Sequence, residues 1–265
     1  MAFRRHVEKR LSREEKSYEI KQLMKEKRSE EYEALEEVFD RSTLMLIYEF
    51  MNKGIIDEIH GVVKAGKEAR IYWAKNREGK ELAVKIYLVL SAEFRKGMFK
   101  YIEGDSRFRG VKHDTRSLIF AWAQKEFKNL EQAAAAKVKV PQPIAVKRNV
   151  LIMNFIGKDG ISAPLIKEET PKNPKRIYKE LLTYLNRLYM KAELVHGDLS
   201  EYNIMIWKTH AVIFDMAQAV PLSHPMADFL LRRDLANLNN AFDRLGANVL
   251  GIEECYNLVT GHGRS

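Results

Sequence analysis

The chain has one cysteine, Cys255, among its 265 residues. A single thiol cannot close a disulfide or build a cysteine zinc cluster within one polypeptide. Cys255 is therefore expected to be a buried thiol. No apolar run approaches the roughly 20 residues that a membrane-spanning helix needs. The first residues, "MAFRRHVEKRLSREEK", are basic but contain no apolar stretch, so no secretory signal is expected. These absences predict a cytoplasmic protein that makes no use of a membrane. Residues 1 to 40 contain neither glycine nor proline, and no repeat or low-complexity tract stands out.

What is present is a chain that is 46% hydrophobic, enough to bury a sizeable core as one domain or two lobes. Its formal charge is +9, which favours polyanionic partners such as RNA or nucleotide phosphates. Residues 1 to 40 are dense in Lys, Arg and Glu and read as exposed helix, frayed at its start. "DRSTLMLIYEFMNKG" reads as a packed helix with cap candidates Asp40, Ser42 and Thr43, stopped at Gly54. "IIDEIHGVVKAGKEARIYWAKN" predicts two strands around a turn at Gly66, and "ELAVKIYLV" predicts a third strand that contains Lys85. Residues 91 to 113 mix small, charged and aromatic residues and read as a long, mobile loop. "DTRSLIFAWAQKEFKNLEQAAAAK" predicts a capped helix, "VPQPIAVKRNVLIMNFIG" two more strands, and "KRIYKELLTYLNRLYMKAE" an amphipathic helix. "HPMADFLLRRDLANLNNAFDRLG" and a terminal helix finish the chain.

The expected fold is α+β: a bilobal, kinase-like arrangement. A helical extension (1–54) precedes a small β-rich lobe with one main helix (55–157) and a reduced, mostly helical lobe (158–265).

The chemistry concentrates late in the chain. "HGDLSEYNIMI" contains Asp198 and Asn203, and "AVIFDMAQ" ends an apolar run on Asp215. A carboxylate on a short turn accepts a proton from an attacking hydroxyl. An asparagine carbonyl and a second carboxylate bind a hard cation, and Mg²⁺ takes such oxygen ligands beside phosphate oxygens. Lys85 sits among Leu, Val and Ile, where an unpaired ammonium is costly. Glu126 lies on the helix register of Ala123, Phe127 and Leu130, facing the sheet, and is its candidate partner. A strand lysine, a helix glutamate, H-x-D-x-x-x-x-N and a strand-end aspartate occur in the order of the protein-kinase scheme.

In its details the chain resembles the RIO-type atypical serine/threonine kinases, and within them the Rio-one subfamily, over about residues 45 to 250. "KAGKEARIY" is similar to their phosphate loop, S-x-G-K-E-A-x-V-Y. "HGDLSEYNIMI" is similar to their catalytic loop and "FDMAQAV" to their metal loop. "HPMADFLLRRDLANLNNAF" is similar to their C-terminal segment.

The resemblance implies that Lys64, Ala65, Gly66, Lys67, Glu68 and Ala69 drape over the phosphates of ATP. It implies that Lys85 holds phosphate and pairs with Glu126, that Asp198 is the catalytic base, and that Asn203 and Asp215 bind Mg²⁺, with Mn²⁺ as the alternative ion. It places Met153 as gatekeeper, gives the backbone of Asn154 and Ile156 to adenine, and makes Asp215 a candidate aspartyl-phosphate. Lys64 and Ala65 depart from the family's Ser and Thr, so hydroxyl contacts to phosphate are not expected there. No A-P-E follows Asp215, and docking of a flexible peptide is not expected.

The resemblance implies a role in maturing the small ribosomal subunit, with an rRNA-rich partner; the protein substrate is not identified. The length, glycines and charge of residues 91–113 predict autophosphorylation there, at Ser106, flanked by basic residues, ahead of Ser91. Two other readings use the same residues. One is a small-molecule phosphotransferase of the aminoglycoside or choline kinase type. The other is a ribosome-binding ATP sensor with little turnover. The most informative measurement is ATP turnover, with and without small-subunit precursors, for the wild type and for Asp198→Ala.

Overall fold

The computed structural model describes residues 39–88, 92–112 and 114–262. The expected arm over residues 1 to 38, together with Ser91 and His113, lies outside the described residues. The chain divides after Lys53. The described part of the first unit is helix α1 (Arg41–Asn52). Asp40 caps it by accepting from the Ser42 and Thr43 N–H groups, and Leu44, Leu46, Ile47 and Phe50 form its buried stripe. The backbone leaves it through Gly54 at φ +71°, the conformation that favours glycine.

From Gly54 onward the chain first builds a five-stranded antiparallel sheet in the order β1-β2-β3-β5-β4. The strands are β1 (Glu58–Ala65), β2 (Ala69–Lys75), β3 (Glu81–Tyr87), β4 (Pro143–Lys147) and β5 (Val150–Asn154). β3 is central, and Leu82 to Tyr87 are buried on both faces, so its run of apolar residues does not alternate with polar ones. Lys85 lies in that run, opposite Ile71 of β2 and Leu151 of β5. β1 is irregular between Ile59 and Lys64, which bends the hairpin tip, and the Gly66 N–H closes the turn on the Ala69 C=O at 3.0 Å.

Between β3 and β4 the structure corrects the expectation from sequence. The segment expected to be a mobile loop contains helix α2 (Ala92–Glu103) and a short 3-10 turn at Ser106–Phe108. A shorter helix thus stands where a loop was expected, ahead of the one main helix. Met98, Tyr101, Ile102 and Phe108 are buried with the rest of the core, so four apolar residues scattered among charges are enough to dock the segment. Helix α3 (Thr115–Ala135) follows, capped by Asp114.

The second lobe is built on helices α4 (Pro174–Ala192), α5 (Ala227–Arg244) and α6 (Ile252–Thr260). Tyr178, Leu181, Leu182, Leu185 and Leu188 recur at helical spacing along α4 and are buried, as are Leu230, Leu231, Leu235, Leu238 and Phe242 of α5. Two short hairpins precede α4 or sit beside it: β6 (Gly157–Lys158) with β7 (Ile161–Ser162), and β9 (Ile204–Trp207) with β10 (His210–Ile213). β8 (Leu194–Val195) pairs with β11 (Val220–Pro221). No described helix is long and apolar enough to cross a membrane.

The Tyr178 hydroxyl joins the three helices. It donates to Asn239 Oδ1 at 2.7 Å, accepts the Leu250 N–H at 3.2 Å and touches Cys255 Sγ at 3.2 Å. Cys255 is the buried thiol that the sequence suggested. Tyr178→Phe keeps the ring and strips a partner from Asn239 and Leu250. It is expected to lower the unfolding free energy by about 1–3 kcal/mol, read from urea denaturation.

Candidate active site

The site begins with Lys85. Its Nζ lies 2.8 Å from Glu126 Oε2 and 2.9 Å from Asp215 Oδ1, and its side chain is 9% exposed. Glu126 reaches it because it faces inward on α3, and it also accepts from the Tyr87 hydroxyl. Burial favours a neutral lysine, but Asp215 and Glu126 outweigh it and hold the Lys85 pKa well above the ordinary value. Burial, with Asp215 nearby, raises the Glu126 carboxyl. Asp215 is the more open partner, with a side chain 40% exposed. Burial opposes its charge, yet the Lys85 ammonium keeps its pKa below the usual carboxylate range. Asp215 adopts φ +61° and ψ +58°.

Asp198 lies across the same cleft. Its Oδ2 accepts from Gln218 Nε2 at 3.0 Å and from Asn203 Nδ2 at 3.3 Å. Burial and the Asp215 charge raise its pKa, which makes its carboxylate a better proton acceptor. Asn203 Nδ2 also donates to the backbone carbonyl of Asp198 at 2.8 Å. With its amide nitrogen committed on that side, Asn203 offers its Oδ1 as the atom for a cation. Asn203 Oδ1 and the Asp215 carboxylate are a hard, all-oxygen donor pair, which suits Mg²⁺ completed by phosphate oxygens. Among the described residues no group of three or more His, Cys, Asp or Glu could hold a metal by itself.

The catalytic-loop conformation is set from behind. Gly197 has φ +75°, and a Cβ there would stand 3.0 Å from the Gln218 C=O. Asp234, fully buried on α5, accepts the N–H of Gly197 at 2.7 Å and of Leu199 at 2.9 Å. Burial pushes its carboxyl up to about 7 despite those two donors. Arg233 donates to the Gly197 C=O, and Asn237 Nδ2 to the Leu199 C=O at 3.2 Å. Arg232 pairs with Asp228 and Glu253. In the sequence alone Arg232 and Arg233 count as free positive charge, and Asp234, Asn237 and Gln218 do not stand out. Polar residues at 233, 234 and 237 on one apolar helix are the available signal.

Of the sequence-selected residues, Lys64, Gly66, Lys67, Glu68, Ala69, Lys85, Glu126, Met153, Asp198 and Asp215 line one cleft, with Ile71, Phe214 and Gln218. Lys64 Nζ lies 5.5 Å from the centre of the Phe214 ring. Burial, then the Asp215 charge, pushes the Glu68 carboxyl up to about 7. Ala65, at the end of β1, is not among the lining residues; nor are Asn154 and Ile156, beyond Met153, or Asn203, held beneath Asp198. The Asn154 N–H donates to the Gln142 C=O and the Ile156 C=O accepts from Ala163, both at 2.9 Å.

His196 is wholly buried beneath the loop. Its Nδ1 accepts the Asp198 N–H at 3.3 Å, so Nε2 carries the proton that bonds the Phe214 C=O at 3.2 Å. Burial pushes its pKa from 6.5 down to about 4. Between those values the unfolded protein takes up the proton and the folded protein does not, so this stabilisation is complete above pH 6.5 and is lost as pH falls towards 4. The stability difference between wild type and His196→Asn should shrink over that window in urea unfolding. A difference that stays constant with pH would contradict the buried neutral imidazole.

The RIO domain family matches residues 70–255. The chain is similar to the RIO-type serine/threonine-protein kinase Rio1 of Haloferax volcanii, 42% identical over 238 residues, covering 90% of this chain and 81% of that protein. It is 38% identical over 249 residues to Rio1 of Methanocaldococcus jannaschii, covering 93% of this chain and 84% of that one. It is 37% identical over 230 residues to the human serine/threonine-protein kinase RIO1, 85% of this chain but 40% of the human protein. Among solved structures it shares its fold with a Rio2 kinase–ADP/Mg²⁺–phosphoaspartate complex from Chaetomium thermophilum, at a TM-score of 0.64 and 20% identity over 83% of this chain and 67% of that one. With a cleft built around Lys85, Glu126, Asp198 and Asp215 and with these likenesses along most of its length, the chain belongs to the RIO family of serine/threonine-protein kinases.

Proposed function

We propose that this kinase uses ATP with Mg²⁺, that Asp198 is its catalytic base, and that it works on an RNA-rich precursor of the small ribosomal subunit. The observation that carries the catalytic part is the position of Lys85, 2.9 Å from Asp215 and 2.8 Å from Glu126, across the cleft from the bonded Asp198. Lys85 presents a fixed ammonium to phosphate oxygens. Lys64, Lys67 and the turn at Gly66 close over them from the sheet. Asp198 takes the proton of the acceptor hydroxyl as that oxygen bonds to phosphorus and the ADP oxygen leaves. Bound Mg²⁺ would be held by Asn203 and Asp215 and would neutralise phosphate charge. With water in place of the hydroxyl, the same geometry gives ATP hydrolysis.

The RNA-rich partner rests on the +9 charge and on the family resemblance. The bonds of Arg232 and Arg233 shift the expected contact towards the basic residues between positions 4 and 28. Ser106 is exposed at the start of the 3-10 turn and is the proposed autophosphorylation site; phosphate mapping found only outside residues 91 to 113 would count against it. The proposed location is the cytoplasm.

Asp198→Asn is expected to lose about 10²- to 10⁴-fold in phosphoryl transfer while still binding ATP with Mg²⁺. Asp215→Ala should lose Mg²⁺-dependent nucleotide binding, and Asn203→Ala should weaken it less, because only Asp215 brings a charge. Radiolabel transfer and calorimetry check these outcomes, and wild-type turnover in Asp198→Asn would remove that residue from the base role. Association with small-subunit RNA should weaken steeply with salt, and deleting residues 1 to 40 should flatten that slope. A salt-independent interaction would argue for a small-molecule acceptor instead.

A further inference from the structure

The face of α3 that turns away from Lys85 carries a second polar cluster. Lys125 is completely buried. Its Nζ donates to the C=O of Ala217 at 3.2 Å and to the C=O of Ala219. One helical turn on, Asn129 Nδ2 donates to the C=O of Met216 at 2.8 Å and of Ala219 at 2.9 Å. Two side chains of one helix therefore hold three carbonyls in the four residues after Asp215. The same helix, through Glu126, holds the lysine that pairs with Asp215.

The cluster continues into the segment read from sequence as a loop. Asn129 Oδ1 accepts from Arg107 Nη2 at 2.8 Å. Arg107 grips Asp105 with two bonds, Nε to Oδ1 at 2.9 Å and Nη2 to Oδ2 at 2.7 Å. Asp105 Oδ2 lies 3.9 Å from Lys125 Nζ. The preceding helix is held as well: His224 Nε2 bonds the Lys100 C=O at 3.1 Å, and a side chain at Gly104 would collide with that ring.

We propose that Lys125 and Asn129 are positioning residues for Asp215, and that Asp105 and Arg107 tie the α2 segment to the same device, so that its docking sets the affinity of the site for Mg²⁺. The inference rests on the reading of Asp215 as a metal ligand. Its physical basis is the left-handed backbone of Asp215, which a non-glycine residue keeps only when its surroundings hold it. A methionine of the same length would fill the space of Lys125 without desolvating an ammonium, so packing alone does not call for a lysine. Burial pushes the Lys125 pKa down to about 7, and the nearby Asp105 carboxylate offsets only part of that. Groups that orient a metal ligand from behind change metal affinity by roughly 10- to 100-fold when removed.

The test uses the full chain and the variants Lys125→Met and Arg107→Ala; the second leaves both α3 side chains in place and guards against failure of the first to fold. ATP binding is measured in EDTA and then across a Mg²⁺ titration, and amide exchange of residues 216 to 219 is followed in nucleotide-free protein. The expected result is a Mg²⁺ requirement roughly 10- to 100-fold higher in Lys125→Met, a smaller rise in Arg107→Ala, unchanged ATP affinity in EDTA and faster exchange at Ala219. An unchanged Mg²⁺ requirement overturns the proposal. So does an equal loss of ATP binding with and without Mg²⁺, which would mark a merely structural cluster. If wild type shows no Mg²⁺-dependent binding at all, the metal reading of Asp215 fails, and unchanged exchange at Ala219 would then sink the positioning role as well.

Discussion

The structure turns on one buried ammonium. Lys85 stands in a strand whose neighbours are all apolar, and it is tolerated because Glu126 and Asp215 each approach within 3 Å, at 2.8 and 2.9 Å. The three groups come from a central strand, a helix and the loop after β10, so the ion cluster joins both lobes at the cleft. Removing Lys85 leaves two carboxylates without their cation, and breaking a buried ion pair costs about 3–5 kcal/mol. The cluster is therefore a constraint on the fold, and the cleft cannot rearrange freely without breaking it.

The elements around that cluster divide the work by charge. Asp215 is kept ionised by the lysine, whereas Asp198 has its carboxyl raised by burial and by Asp215, against the opposing pull of Arg233. Two carboxylates on one cleft are thus pushed in opposite directions, one towards cation binding and one towards accepting a proton. Asp234 and His196 are hidden behind them and hold the loop through its backbone groups. α3 supplies support on two sides, with Glu126 facing the sheet and Lys125 and Asn129 facing the residues after Asp215.

Much of this is legible in the sequence. The strand pattern around Lys85, the cap at Asp114, the helical stripe of α4 and the spacing of Asp198, Asn203 and Asp215 all follow from local periodicity and from chemistry that needs those residues close together. Residues 91 to 113 read wrongly as a loop because their apolar residues are few, and a helix docked by Met98, Tyr101 and Ile102 looks polar when its neighbours are not known. Lys125 looks like a surface lysine beside Glu126. Helical spacing puts the two residues about 100° apart, and whether the second direction meets solvent or protein is not a local property.

The sequence by itself determined the family, the five strands and most of the polar groups that line the cleft, because each is written in short spacings that local backbone geometry converts directly into structure. Tertiary structure alone decided which charges are spent inside the protein. Arg233 could have been a partner contact and Lys125 a solvated side chain; the fold turns the first onto Gly197 and buries the second against the carbonyls after Asp215. The reason is physical. Burial and pairing depend on residues tens of positions away in the sequence, and the free energy of a charged group is set by those neighbours rather than by its own position.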